Sequence, residues 1–165
     1  MELDERIERN MDWKKNDVFQ VQIEDMSDTG EGIGKTDGFT WFVKDAVIGD
    51  VVEAKVMKTK KSYGFARLMQ VVKPSDCRVT PRCPSARQCG GCQLQAMSYE
   101  EQLKFKENKV RNNLSRIGGL TEIPMEPIIG MEEPWRYRNK AQFPFGKDKD
   151  GRIITGFYAG RTHAI

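Results

Sequence analysis

Phe19-Gln20-Val21-Gln22-Ile23-Glu24 places an apolar side chain at every second position. Successive side chains of a strand point to opposite faces, so the phenylalanine, valine and isoleucine share one face and the polar residues the other. Gly30-Glu31-Gly32-Ile33-Gly34 then breaks the alternation, and Phe39-Thr40-Trp41-Phe42-Val43 reads as a buried or half-buried strand. Val52, Ala54 and Val56 alternate with Glu53 and Lys55, and residues 63–72 carry another strand pattern. Several short strands separated by turn signals within residues 17–75 predict a small closed barrel of the OB type. The glycine-rich run lacks the Gly-Lys-Ser/Thr ending and the helix of a phosphate loop, so it reads as a tight bend in a barrel strand.

Outward from this barrel, residues 1–16 are charged with mixed sign and hold few apolar anchors, a marginal helix or loose tail with no assigned chemistry. Between the last two strands stand Lys55, Lys58, Lys60 and Lys61, followed by Tyr63, Phe65 and Arg67. Cations interleaved with aromatics suit a surface that tracks a nucleic-acid backbone and stacks bases. Lys58, Lys60, Lys61 and Arg67 are therefore candidate RNA contacts. The bland alternative makes Tyr63 and Phe65 core residues and the lysines a solvated hairpin tip.

Residues 76–96 hold all four cysteines, Cys77, Cys83, Cys89 and Cys92. The last three stand in the order Cys83-x5-Cys89-Gly-Gly-Cys92, a Cys-x-x-Cys turn with a third thiol just upstream. Such a tridentate clamp suits zinc or an iron–sulfur cluster, and the spacing does not choose between them. A disulfide framework is the main rival, but no secretory leader is evident and the flanking composition reads as intracellular, where thiols stay reduced. A redox pair fits less well because no βαβ pattern follows.

Residues 97–165 open on Ser98-Tyr99-Glu100-Glu101, a capping-box sequence, after which Leu103, Val110, Leu114 and Ile117 follow helical spacing up to Gly118-Gly119. Beyond a linker punctuated by Pro124 and Pro127, residues 136–145 and 153–159 read as two strands joined by a hairpin turn. In such a strand Arg136, Arg138 and Lys140 project to one face, and three adjacent cations favour an anionic partner. His163 is the one histidine and is read as a surface or packing residue.

The whole chain has 165 residues, 38% apolar and 31% charged, with a formal charge of +3. That suits a water-soluble chain of one or two small domains, and its apolar runs are too short to span a bilayer. Charge distribution says more than the sum: residues 78–120 carry eight lysines and arginines against three glutamates, and residues 134–165 carry seven against two aspartates. Basic surface on both sides of a thiol clamp points to a polyanion, with a solvated surface as the alternative.

Gly30-Glu31-Gly32-Ile33-Gly34 and Phe42-Val43-Lys44-Asp45-Ala46-Val47-Ile48-Gly49-Asp50-Val51-Val52 closely resemble a TRAM domain, an RNA-binding OB-like module. Cys83-x5-Cys89-Gly-Gly-Cys92-Gln93-Leu94-Gln95 resembles the cluster motif of RNA uracil-5 methyltransferases. Trp135-Arg136-Tyr137-Arg138-Asn139-Lys140 and Gly156-Phe157-Tyr158 resemble the central domain of that family, so the likeness runs from residue 17 to residue 165.

The resemblance implies a mainly β chain: a TRAM barrel over 17–75, a cysteine-cluster loop over 76–96, then one helix and part of a β-rich central domain. It implies a structural 4Fe–4S cluster with Cys83, Cys89 and Cys92 as three ligands. The family's fourth ligand is a cysteine downstream of the segment resembling residues 156–165, and Cys77 falls outside the ligand set, although it stands close enough in sequence to substitute. It also implies methylation of uracil in RNA with S-adenosylmethionine, ribosomal RNA being placed ahead of transfer RNA, by a cytoplasmic, monomeric enzyme with no membrane partner. Such enzymes activate the uracil ring with a cysteine thiolate. No cysteine follows Cys92, and no strand, glycine-rich loop and helix for the methyl donor can be read. The chain is therefore expected to carry no catalytic residues and to be inactive alone. The competing reading is a standalone zinc-binding, RNA- or ribosome-associated module without enzymatic activity.

Overall fold

The alternation that begins at Phe19 becomes strand β1 (Val18–Met26), in which Phe19, Val21 and Ile23 are buried. It is followed by β2 (Gly32–Thr36), β3 (Phe39–Lys44), β4 (Val51–Thr59) and β5 (Tyr63–Lys73). In this computed structural model, which describes residues 13–160 and 162–165, the five strands close a barrel in the order β1-β2-β3-β5-β4. Neighbours are antiparallel except β3 and β5, which run parallel, and β4 returns to β1 with Ala54 opposite Phe19. Closure leaves no free sheet edge in the barrel.

Trp41 fills the barrel centre and is fully enclosed. Its ring lies 4.5 Å from that of Phe19 and 4.9 Å from that of Phe39. Trp13 packs edge-on against it at 5.2 Å, so the packed chain includes at least part of the segment read as tail. The rest of that segment, residues 1–12, lies outside the described residues.

Gly32, Ile33 and Gly34 of the glycine-rich run open β2, while Gly30, with a φ of +81°, lies in the turn before it. A Cβ on Gly34 would stand 2.3 Å from the Gln22 carbonyl oxygen, and one on Gly32 would stand 2.8 Å from the Ile23 side chain. These positions carry glycine because β1 and β2 cross too closely for any side chain, and a register shift in the pair marks the crossing. Asp50, also fully enclosed, holds the exit of the barrel: its carboxylate accepts from the Val47 and Ser75 amides at 2.8 and 3.0 Å.

Two compact units divide the chain, the barrel unit of residues 13–27 and 31–76 and a second unit of residues 28–30 and 77–165. The second contains helix α1 (Tyr99–Arg116) and a short antiparallel pair, β6 (Phe145–Lys147) and β7 (Ile153–Thr155). Ser98 caps α1, its hydroxyl accepting from the Glu101 amide at 3.4 Å. The reciprocal half of the expected capping box is absent. The Ser98 amide donates instead to the Cys77 carbonyl, and Glu101 lies 3.4 Å from Lys104. Glu100 also reaches Lys104, at 3.3 Å, and the hydrogen bonds that this ammonium donates to Glu100 and then Glu101 hold it above its ordinary pKa. The helix ends at Arg116 with Ile117 as its C-cap, and Gly119, whose φ of +69° suits glycine, follows in the turn beyond it.

The two long strands expected over 136–145 and 153–159 shrink to three residues each. Arg136 has a φ of +56°, a left-handed conformation that ends any extension, and the described residues pair no strand with 137–144. A strand without a neighbour has nowhere to place its backbone groups. No helix among the described residues is long and apolar enough to cross a membrane.

Candidate nucleic-acid interface and metal centre

In the barrel unit the sequence-read cations stand on one connected stretch. Lys58 lies on β4 opposite Phe65 of β5, Lys60 and Lys61 form the turn between these strands, and Arg67 points outward between the buried Ala66 and Leu68. Tyr63 and Phe65 are not core residues. The inward positions of β5 are Gly64, Ala66 and Leu68, so both rings face outward together with Phe42 of β3. The inward neighbour explains why: a Cβ on Gly64 would stand 2.3 Å from the Trp41 ring.

In the second unit the cysteine loop is tied down through its backbone. Cys89 bridges Ala159 in antiparallel fashion, the Gly90 amide donates to the Tyr158 carbonyl at 2.9 Å, and the Gly160 amide donates to the Gln88 carbonyl at 2.9 Å. Neither Gly90 nor Gly91 adopts positive φ, so the pair is not required for a left-handed turn. A Cβ on Gly90 would stand 2.9 Å from the Tyr158 oxygen, and that close approach is what demands glycine. The Gly91 amide donates to Cys89 Sγ at 3.3 Å, and the Cys83 amide to Gln95 Oε1 at 3.3 Å.

Cys83 and Cys92 are exposed, Cys77 and Cys89 are partly buried, and none of the four is in a disulfide. Among the described residues, no three His, Cys, Asp or Glu side chains are drawn together as a metal group. The donor chemistry of Cys83, Cys89 and Cys92 nonetheless fits a soft metal centre. Two of the thiols, Cys83 and Cys92, are open to solvent, and the third, Cys89, accepts an amide hydrogen bond of the sort that tunes thiolate ligands.

Arg136, Arg138 and Lys140 do not share one strand face, because their segment is not a strand. Arg138 has another task. Its Nη2 donates to the Gly91 carbonyl at 3.2 Å while its guanidinium lies 5.8 Å from the Phe157 ring centre, so it joins the cysteine loop to the segment that carries the backbone ties. Arg82 makes a comparable contact over Trp135 at 5.1 Å. Arg136 and Lys140 are exposed. Sequence reading missed the bracing roles of Gln95 and Arg138, since a lone Gln or Arg in a basic stretch carries no signal of its partner. Arg138→Ala is expected to speed amide exchange across residues 89–93 by roughly three- to tenfold, the loss of one partly exposed charged hydrogen bond. Hydrogen–deuterium exchange with mass spectrometry checks it; unchanged exchange would rule out the brace.

The barrel unit is a closed five-stranded barrel with outward cations and rings, followed in sequence by a cysteine-rich segment. Residues 12–69 match the TRAM domain. Over 151 residues the chain is 50% identical to an uncharacterized RNA methyltransferase of Halalkalibacterium halodurans, covering 92% of this chain and 33% of the relative. An uncharacterized RNA methyltransferase of Clostridium tetani is 48% identical over 152 residues, with the same shares covered. Among solved structures, a tRNA (uracil-54, C5)-methyltransferase of Pyrococcus abyssi aligns over 61% of this chain and 21% of its own, at 29% identity and a TM-score of 0.38, too low to argue a shared overall fold. The chain carries a TRAM domain and is homologous to a segment of proteins named RNA methyltransferases. It spans about a third of the length of those curated relatives.

Proposed function

We propose that this chain is the RNA-binding portion of an S-adenosylmethionine-dependent RNA (uracil-5-)-methyltransferase, with a structural 4Fe–4S cluster held by Cys83, Cys89 and Cys92. The observation that carries the reading is the 50% identity to a protein named RNA methyltransferase across 92% of the chain, which takes in the barrel and the thiol loop alike. The uracil-5 assignment rests on the residue pattern from Cys83 to Gln95 and over 135–140. RNA is the partner, with ribosomal RNA preferred to transfer RNA, and the setting is the cytoplasm, with the protein a monomer.

The cluster, when bound, supplies a rigid four-iron node to which the loop is tied. This chain's own residues do the rest: Arg138, Gln95 and the backbone of residues 158–160 shape the loop, and the barrel presents cations and rings to RNA. On this reading these residues serve to bind RNA and carry no turnover of their own. The fourth cluster ligand is either Cys77, the one other thiol of this sequence, or a cysteine beyond residue 165, as the family resemblance implies.

Protein purified without air is expected to be brown and to contain about four iron and four acid-labile sulfide per chain. Cys83→Ser and Cys92→Ser should lose most of both, and Cys77→Ser decides whether that thiol is the fourth ligand. Colourless protein with one zinc overturns the cluster. Methyl transfer to RNA by this chain alone overturns the absence of turnover.

A further inference from the structure

Three cations stand in register across the barrel's outer surface. Lys44 of β3 is the Cα partner of Arg67 of β5, and Arg67 is in turn the partner of Lys55 of β4. Each lies on the outward side of its strand, because Val43, Ala54, Val56, Ala66 and Leu68 beside them are buried. Adjacent strands lie about 4.8 Å apart, and like charges directly opposite one another destabilise a sheet. The row sets three outward cations side by side across β3, β5 and β4, a spacing along which successive phosphates can lie.

The rings seen above lie immediately beside this row. Phe42 and Phe65 are Cα partners two residues before Lys44 and Arg67, with ring centres 5.5 Å apart and planes within 32° of each other. Tyr63 stands at 82° to both, 5.7 Å from each, and closes the end of the platform away from the cations. A solvated hairpin explains scattered lysines; it does not explain three aromatic side chains on the outside of a barrel beside a cation row.

We propose that the outer face of β3, β5 and β4 is a site for single-stranded RNA, in which unpaired bases stack on Phe42 and Phe65 against Tyr63 while adjoining phosphates lie along Lys44, Arg67 and Lys55. Single-stranded RNA is favoured over duplex because a stacking platform needs exposed base faces, which a helix keeps covered. This rests on the reading of the barrel as an RNA-binding module and specifies which face and which form of RNA.

The test uses the full chain and a fluorescein-labelled mixed-sequence oligoribonucleotide of about ten nucleotides, single-stranded or annealed to its complement, with binding read by anisotropy across a salt series. Phe65→Leu and Tyr63→Leu keep apolar bulk on an outward position, so the barrel stays folded, as circular dichroism will verify. Each is expected to weaken single-strand binding by roughly fivefold or more with the salt slope unchanged. Arg67→Gln should lower the slope by about 0.7, the value for one phosphate contact on a single strand. If wild type binds and these variants match it within about twofold, the face is wrong while RNA binding stands. Tighter binding to the duplex overturns the stacking site. If wild type binds neither form, the RNA-binding reading itself fails and this site with it.

Discussion

Trp41→Ala is expected to leave the barrel mostly unfolded in dilute buffer. The indole is fully enclosed, with the rings of Phe19, Phe39 and Trp13 packed around it at 4.5, 4.9 and 5.2 Å. Deleting a buried tryptophan to alanine costs about 3–5 kcal/mol. A domain of about sixty residues has roughly 3–9 kcal/mol of stability, so the loss is a large share of the total. Gly64 makes recovery by collapse harder, since that wall of the cavity has no side chain to swing inward. Trp41→Phe should cost much less than Trp41→Ala, because the indole N–H has no hydrogen-bond partner in the barrel and its removal relieves a buried polar group. Urea unfolding followed by far-ultraviolet circular dichroism separates the two variants. A Trp41→Ala midpoint equal to wild type would mean that this ring is not the keystone of the core.

Asp50→Ala should be the next most damaging change. The carboxylate is fully enclosed, and each oxygen takes one backbone amide, Val47 at 2.8 Å and Ser75 at 3.0 Å. The backbone of Asp50 is engaged as well, its carbonyl accepting from Ile23 at 2.8 Å. Alanine leaves two inward-facing N–H groups without their acceptor, a loss of roughly 2–4 kcal/mol. Asn keeps one acceptor oxygen and places an NH2 against the other amide, so Asp50→Asn should fall between alanine and wild type. The sharper readout is local. Ser75 lies at the exit of the barrel, and its amide should exchange far faster in Asp50→Ala. Retained protection at Ser75 would show that the carboxylate does not hold this exit.

Much of this architecture was readable because period-two alternation survives in β1 and β4, where one face is buried and the other is wet. β2 was readable only as a bend in a barrel strand, without its extent. Its glycines answer to a neighbour's backbone, and a residue chosen for lacking a side chain leaves no pattern. The segment 136–145 failed for the opposite reason: its alternating cations and aromatics look like a strand, but alternation describes a face and cannot guarantee a neighbour to pair with. Tyr63 and Phe65 were visible as candidates, yet only the inward turn of Gly64 shows that they face solvent. The cysteine spacing was plain, whereas the reason for Gly90 lies at Tyr158, far along the chain.

That distance has a consequence for the order of events during synthesis. The barrel is complete once β5 has been made, and a domain that closes early can fold while the rest of the chain is still being translated. The thiol loop follows it from the ribosome without its backbone partners, which arrive only when residues 158–160 have emerged. At about 5–20 residues per second the interval between Gly90 and Tyr158 lasts roughly 3–14 s. Through that time Cys83, Cys89 and Cys92 lack those backbone ties and stand open to oxidants. A ribosome stalled between residues 98 and 158 would display the thiols with only their local bonds, such as that from the Cys83 amide to Gln95, to shape them.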